Sequence, residues 1–204
     1  GNTVTFEYDG TNWTAGGALG TARRSFRGAG TLAAGLAVGG FYDPPGTPLD
    51  LTEEYASSTW TAGGVLGTPV SGSGTAGTLT AALNATGYNG PTNTLVTEEY
   101  NGTGWTSGEN VNTARNSLGS SGLQTAAILF GGSTGSANSA TETYDGTDWT
   151  TSAATLATAR WSLGSAQTAP GSTGLAFGGD TPPYTGATEE FNRSANVITA
   201  AAWS

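Results

Sequence analysis

FEYDGTNW at residues 6–13 returns as EEYASSTW at 53–60, EEYNGTGW at 98–105 and ETYDGTDW at 142–149, and in reduced form as EEFNRSAN at 189–196. The aromatic anchors Tyr8, Tyr55, Tyr100, Tyr144 and Phe191 are 47, 45, 44 and 47 residues apart. Self-similarity at a steady period of this length marks a repeat architecture. A tryptophan follows each of the first four anchors by five residues, as Trp13, Trp60, Trp105 and Trp149, and Asn196 stands at that count in the fifth copy.

Other features keep phase with the anchors. A basic residue falls 15 or 16 positions after the tyrosine, as Arg23, Arg115 and Arg160, but the second copy reads GTPVSG there. Diglycines close small apolar runs: Gly39-Gly40 after LAAGLAV, Gly131-Gly132 after AAILF and Gly178-Gly179 after GLAF, with LNATGY in the second copy instead. Each unit divides into four short strands: the stretch after the arginine, the run into the diglycine, the TEEY segment and the tryptophan segment. Asp9-Gly10, Asn101-Gly102 and Asp145-Gly146 join the third and fourth strands, where a tight hairpin needs positive φ. Four strands in 44–47 residues predict an all-β propeller blade, since the long amphipathic runs of helical repeats are missing.

Composition agrees and excludes much chemistry. The 34 Gly and 36 Thr fill a third of the 204 positions, yet 36% of residues are apolar and 10% charged, so the chain should fold rather than stay disordered. With no Cys and no His, disulfides, thiolate nucleophiles, the Ser-His-Asp arrangement and imidazole-bound metals are excluded. Six basic residues, all Arg, against fifteen acids give a net charge of −9, which speaks against nucleic-acid binding. No apolar run reaches the length of a membrane helix, so membrane insertion is not expected.

The order diglycine, tyrosine, tryptophan, arginine resembles the Kelch repeat over essentially the whole chain. Within that family the sequence is most similar to Thr- and Gly-rich, Lys-poor variants of phage and environmental bacterial proteins. The resemblance implies a Kelch-like β-propeller with about four complete four-stranded blades, at 22–66, 67–110, 113–156 and 159–204, and a two-stranded half blade at 1–17. Residues 1–204 are then one propeller domain or the C-terminal part of one; the second reading is favoured, because the first copy has the form of an interior repeat. Alternatively the ring is short by two strands, or a neighbouring subunit supplies them.

The repeated residues Tyr8, Trp13, Tyr55, Trp60, Tyr100, Trp105, Tyr144, Trp149 and Phe191 are expected to pack between blades, and Arg23, Arg115 and Arg160 to serve the repeat. Strand alternation sends the members of Glu53-Glu54, Glu98-Glu99 and Glu189-Glu190 to opposite faces, with Glu7 and Glu142 as single members, so they form no catalytic dyad. One member is expected to pair with the in-phase arginine. No metal or cofactor is expected. The loops after the diglycines vary most, and they should share one face with Tyr42, Tyr88, Tyr184, Arg24, Asn116 and Trp161. Rings beside polar side chains suit a neutral glycan; the plainer reading is that they stiffen exposed turns. What the resemblance adds is a non-enzymatic phage component on the virion surface or fibre, with other particle subunits as partners and a host glycan or receptor as ligand. The alternatives are an extracellular adhesive module of a bacterial surface or matrix and, last, a glycan-acting enzyme using carboxylates alone.

Overall fold

The computed structural model describes residues 1–42, 44–166, 173–181, 184–192 and 197–200. Among these there is no helix, and four four-stranded antiparallel sheets follow one another along the chain. The first sheet comprises Arg27–Thr31, Ala34–Val38, Thr52–Ala56 and Thr59–Ala62. The second holds Gly74–Thr78, Ala81–Ala85, Thr97–Tyr100 and Trp105–Ser107, and the third Gly119–Leu123, Ala126–Phe130, Thr141–Tyr144 and Trp149–Thr151. The fourth runs Gly164–Ser165, Thr173–Phe177, Thr188–Asn192 and Val197–Ala200. In every sheet the strands lie side by side in chain order. Before them, Phe6–Tyr8 pairs with Trp13–Ala15 as a separate hairpin, and Phe41–Tyr42 pairs with Thr47–Pro48 in the loop after the first diglycine. Successive four-stranded antiparallel sheets in chain order are compatible with a blade layout.

The anchors fix the register. Tyr8 pairs with Trp13, Tyr55 with Trp60, Tyr100 with Trp105 and Tyr144 with Trp149. Their ring centroids are 5.0, 4.7, 4.9 and 4.9 Å apart, within the range of favourable aromatic pairs. In the fourth sheet Phe191 pairs with Ile198, so counting five residues from the anchor misses the equivalent position by two. Asn196 lies outside the described residues.

The turns use the expected residues in a different way. Only the glycine of each pair takes positive φ, at 98° for Gly10, 90° for Gly102 and 98° for Gly146. The Asp or Asn before it instead accepts two backbone N–H groups through Oδ1, as Asp145 does from Thr147 at 2.9 Å and Asp148 at 2.8 Å. The second copy has Ser57 and Ser58 there, both at positive φ.

Neighbouring sheets meet through their first strands and through interleaved apolar residues. Leu36 and Val38 pack with Leu66, Val70, Ala82 and Tyr100; Leu83 and Ala85 with Leu118, Leu129, Tyr144 and Trp149; Ile128 and Phe130 with Leu156, Leu163, Ala176 and Phe191. Each buried large side chain contributes roughly 1.5–3 kcal/mol, which the small-residue first strands cannot supply themselves. Their smallness makes room: a Cβ on Gly119 would lie 2.3 Å from the Phe130 ring.

The diglycines join sheet to sheet by backbone. Gly131 stands at φ 65°, and Gly132 donates its N–H to the carbonyl of Arg160, in the next unit, at 2.8 Å. Gly40 and Gly87 do the same to Val70 and Arg115, at 2.8 and 2.9 Å. In the second copy Thr86 takes the first glycine's place at φ 55°, and its Oγ1 accepts the Arg115 N–H while its one proton lies within reach of the carbonyls of Thr94 and Arg115. A Cβ on Gly131 would sit 2.8 Å from the Arg160 carbonyl oxygen in a conformation that side chains resist. Gly131→Ala is therefore expected to destabilise by about 1–3 kcal/mol, seen as a lower urea midpoint at unchanged slope.

Candidate functional site

The charged residues of the repeat are interior. Arg23 Nη2 donates to Glu53 Oε1 at 2.9 Å, Arg115 Nη2 to Glu142 Oε1 at 3.0 Å and Arg160 Nη2 to Glu189 Oε1 at 2.8 Å, all with the guanidinium fully buried. The other carboxylate oxygen accepts the N–H of the residue three before the arginine: Gly20 at 2.6 Å, Asn112 at 2.7 Å and Ala157 at 2.8 Å. Nη1 of Arg115 donates to the Ala140 carbonyl at 2.8 Å. Each pair thus ties the entry to the first strand onto the third strand of the same sheet. Burial pulls the Arg115 pKa down, and Glu142 opposes that. In the second copy Val70 replaces the arginine, and Glu98 accepts from Gly67 at 2.7 Å and Thr68 at 3.0 Å.

The second glutamates of the first two pairs, Glu54 and Glu99, face the other way, into the next sheet, as does Glu7 of the first copy. Tyr55 Oη donates to Glu7, Tyr100 Oη to Glu54, and Tyr144 Oη to Glu99 at 2.6 Å. The same interfaces carry an indole bond: Trp60 Nε1 donates to Thr5 Oγ1 at 2.9 Å, Trp105 to Thr52 at 2.9 Å and Trp149 to Thr97 at 3.0 Å. Between the third and fourth sheets both are gone, because Thr143 stands for the glutamate, Phe191 for the tyrosine and Ile198 for the tryptophan. Thr141 Oγ1, the equivalent of the indole acceptors, is there buried without a partner.

The anchors Tyr55, Tyr100, Tyr144 and Phe191 are buried, as is Trp149, and Trp60 and Trp105 are half-buried. The first copy departs from the expected packing: Tyr8 is 47% exposed and Trp13 68%, with no sheet of the described residues against that side of the hairpin. Behind the hairpin, a cavity of about 450 Å³ opens between Phe6, Phe26, Gly28, Gly35, Tyr55 and Trp60.

The loop face is built from one backbone rung per sheet. The residue after the arginine position bridges the residue after the diglycine: Arg24 with Phe41, Ser71 with Tyr88, Asn116 with Ser133 and Trp161 with Asp180. Arg24, Tyr88, Asn116 and Trp161 are thereby placed at equivalent positions of successive sheets. Tyr42 lies one residue beyond its rung, and Tyr184 sits in the loop after the last one, 84% exposed. Several of these groups have local duties: Arg24 covers the Phe41 ring, 4.6 Å from its centroid, and Asn116 Nδ2 donates to Asn93 Oδ1 at 2.7 Å. Phe41 and Asn93, both missed from sequence, join the face through these contacts. A shallow depression of about 450 Å³ beside Tyr42 is lined by Gly20, Thr21, Ala22 and Leu49 and includes none of the other five candidates. No cluster of acidic groups suited to a metal ion occurs among the described residues. No protein-family model matches the chain, and no curated protein matches it.

The hydroxyl ladder has a pH signature. Burial first, then the bond to the neighbouring glutamate, pushes the Tyr100 and Tyr144 hydroxyls above the ordinary tyrosine range. Only the neutral phenol donates, so its contribution is complete below the unfolded value of about 10 and is lost as pH rises through the folded one. Urea unfolding at stepped pH should show stability falling above about pH 10, and less steeply in Tyr100→Phe/Tyr144→Phe. An equal fall in that variant would remove the ladder as its cause.

Proposed function

We propose that the four sheets are successive blades of a Kelch-type propeller and that the chain is a non-enzymatic virion-surface or fibre component of a phage, offering its loop face to a host glycan or receptor. The observation that carries the reading is the fate of the repeating acids. Glu53, Glu98, Glu142 and Glu189 are buried against backbone N–H groups, three of them also against arginine, while Glu7, Glu54 and Glu99 accept tyrosine hydroxyls. The four buried carboxylates each already accept two or more donors away from solvent, and general acid or base work needs an acid that a substrate can reach in a cleft. What varies from copy to copy is the loop face, which has the exposed rings of Tyr42 and Tyr184 beside the half-buried Tyr88, Asn116 and Trp161, groups of the kind that stack on and hydrogen-bond to a sugar. The phage setting rests on the sequence resemblance.

Two measurements test this. The protein should co-purify with virions at fixed stoichiometry; retention on bacterial envelopes instead would move it to the adhesive-module reading. On a glycan array, Tyr42→Ala and Trp161→Ala should each weaken binding at least about tenfold, or roughly 1.4 kcal/mol. Binding that survives both substitutions would take the ligand off this face.

A further inference from the structure

Arg27 is unlike the other described arginines. Arg23, Arg115 and Arg160 meet glutamate and Arg24 covers a ring, whereas Arg27 donates only to backbone, Nε to the Ser73 carbonyl at 3.0 Å and Nη2 to the Leu118 carbonyl at 3.2 Å. Burial lowers its pKa, and no carboxylate of the described residues opposes the shift. A charge drawn out of water is ordinarily matched by an opposite one. The repeat does not ask for this residue: Arg27 pairs with Val38 where Gly74, Gly119 and Gly164 pair with Ala85, Phe130 and Phe177. A Cβ on Gly119 or Gly164 would run into its facing phenylalanine, an obstacle that the smaller Val38 removes.

The place the side chain reaches is rigid and adjoins the loop face. Ser73 and Leu118 each stand two residues beyond a rung, those of Ser71 with Tyr88 and of Asn116 with Ser133. Backbone bonds chain the entries of the sheets together: Gly72 donates to the Ser25 carbonyl at 2.8 Å, Ser117 to that of Gly72 at 2.7 Å and Ser162 to that of Ser117 at 2.7 Å. The two carbonyls hold one side of the guanidinium and leave its end, Nη1 with the second Nη2 hydrogen. Nη1 is not sealed from solvent, as the Nε atoms of Arg23, Arg115 and Arg160 are. Such an edge matches the two oxygens of a carboxylate. Arg27, Ser73 and Leu118 lie at the starts of the first strands of three consecutive sheets, so the site owes nothing to either end of the chain.

We propose that Arg27 is an anion-binding residue of the loop face and receives the carboxylate of an acidic sugar. This rests on the glycan reading of that face and narrows it: the segments of Tyr88 and Asn116 flank the sugar, and the guanidinium takes a uronate group that a neutral sugar lacks.

The test is an NMR titration of the protein with glucuronate and with glucose, which has a hydroxymethyl group in place of the carboxylate, following the Arg27 Nε–H resonance. Glucuronate should shift that resonance saturably and bind at least about tenfold more tightly than glucose, and Arg27→Gln should remove the difference. The wild-type resonance decides the matter even where the glutamine variant is unstable. Equal binding of the two sugars, or glucuronate binding that leaves the Arg27 resonance in place, would overturn the proposal and leave the loop-face reading to the glycan array. Acetate bound as tightly as glucuronate would overturn the sugar in favour of a bare anion. Binding of neither sugar would also overturn it, and a blank array besides would take the glycan reading with it.

Discussion

A carboxylate two residues before each of the anchors Tyr55, Tyr100, Tyr144 and Phe191 is taken out of water, and the surrounding backbone is arranged to satisfy it. An isolated buried charge is not tolerated, so Glu53, Glu98, Glu142 and Glu189 each draw an N–H from the segment entering the first strand. That segment is thereby held against the third strand, and the first strand follows from its position. Arginine is the commoner second partner, but the second copy shows it is replaceable: with Val70 in its place, the Thr68 N–H turns to the vacant oxygen. The constant element is the glutamate, and the guanidinium is one of two ways of completing it. A buried ion pair is weak grounds for stability in itself; its value here is in fixing where the loop crosses the sheet.

The tyrosine ladder obeys the same accounting across interfaces. A buried donor without an acceptor costs more than replacing both by apolar or small groups, and the third and fourth sheets follow the cheaper route. Phe191 has no hydroxyl, Thr143 has no carboxylate, and Ser152 stands where Gly16 and Gly63 leave space for the hydroxyls of Tyr55 and Tyr100. These three changes are one change. The indole bond was relinquished less completely, since Ile198 replaced the donor while Thr141 kept its hydroxyl.

Much of this was open to sequence reading because period and chemistry coincide: anchors at a steady spacing give the strands, and glutamates beside in-phase arginines suggest the pairs. The opposite facing of Glu53 and Glu54 follows from strand alternation alone. Other features were hidden for definite reasons. Ile198 escaped because the hairpin before it is two residues longer, so a fixed count from Phe191 lands on the wrong residue. Ser57 and Ser58 occupy positive φ without being Gly or Asn, and Thr86 holds a glycine's place with its hydroxyl both accepting the Arg115 N–H and donating to a backbone carbonyl. The exposure of Tyr8 and Trp13 depends on what lies beside them, which a repeat consensus does not contain.

The division of labour within each unit follows from these constraints. The repeating glutamates, arginines and tyrosines of the core answer to a partner in their own sheet or the next, so a change there is matched elsewhere or leaves a group unpaired, as at Thr141 in the third interface. The segment after the diglycine is held to its sheet by a backbone rung, made by N–H and C=O groups that every residue except proline has in full. Phe41, Tyr88, Ser133 and Asp180 can therefore stand at equivalent rungs without disturbing the sheets, and the loops beyond them differ in length and composition. Variation collects on that face because its backbone rungs tolerate different side chains, a few of which, such as Asn93 and Asn116, still join neighbouring units, and it is there that recognition can be altered while the fold is kept.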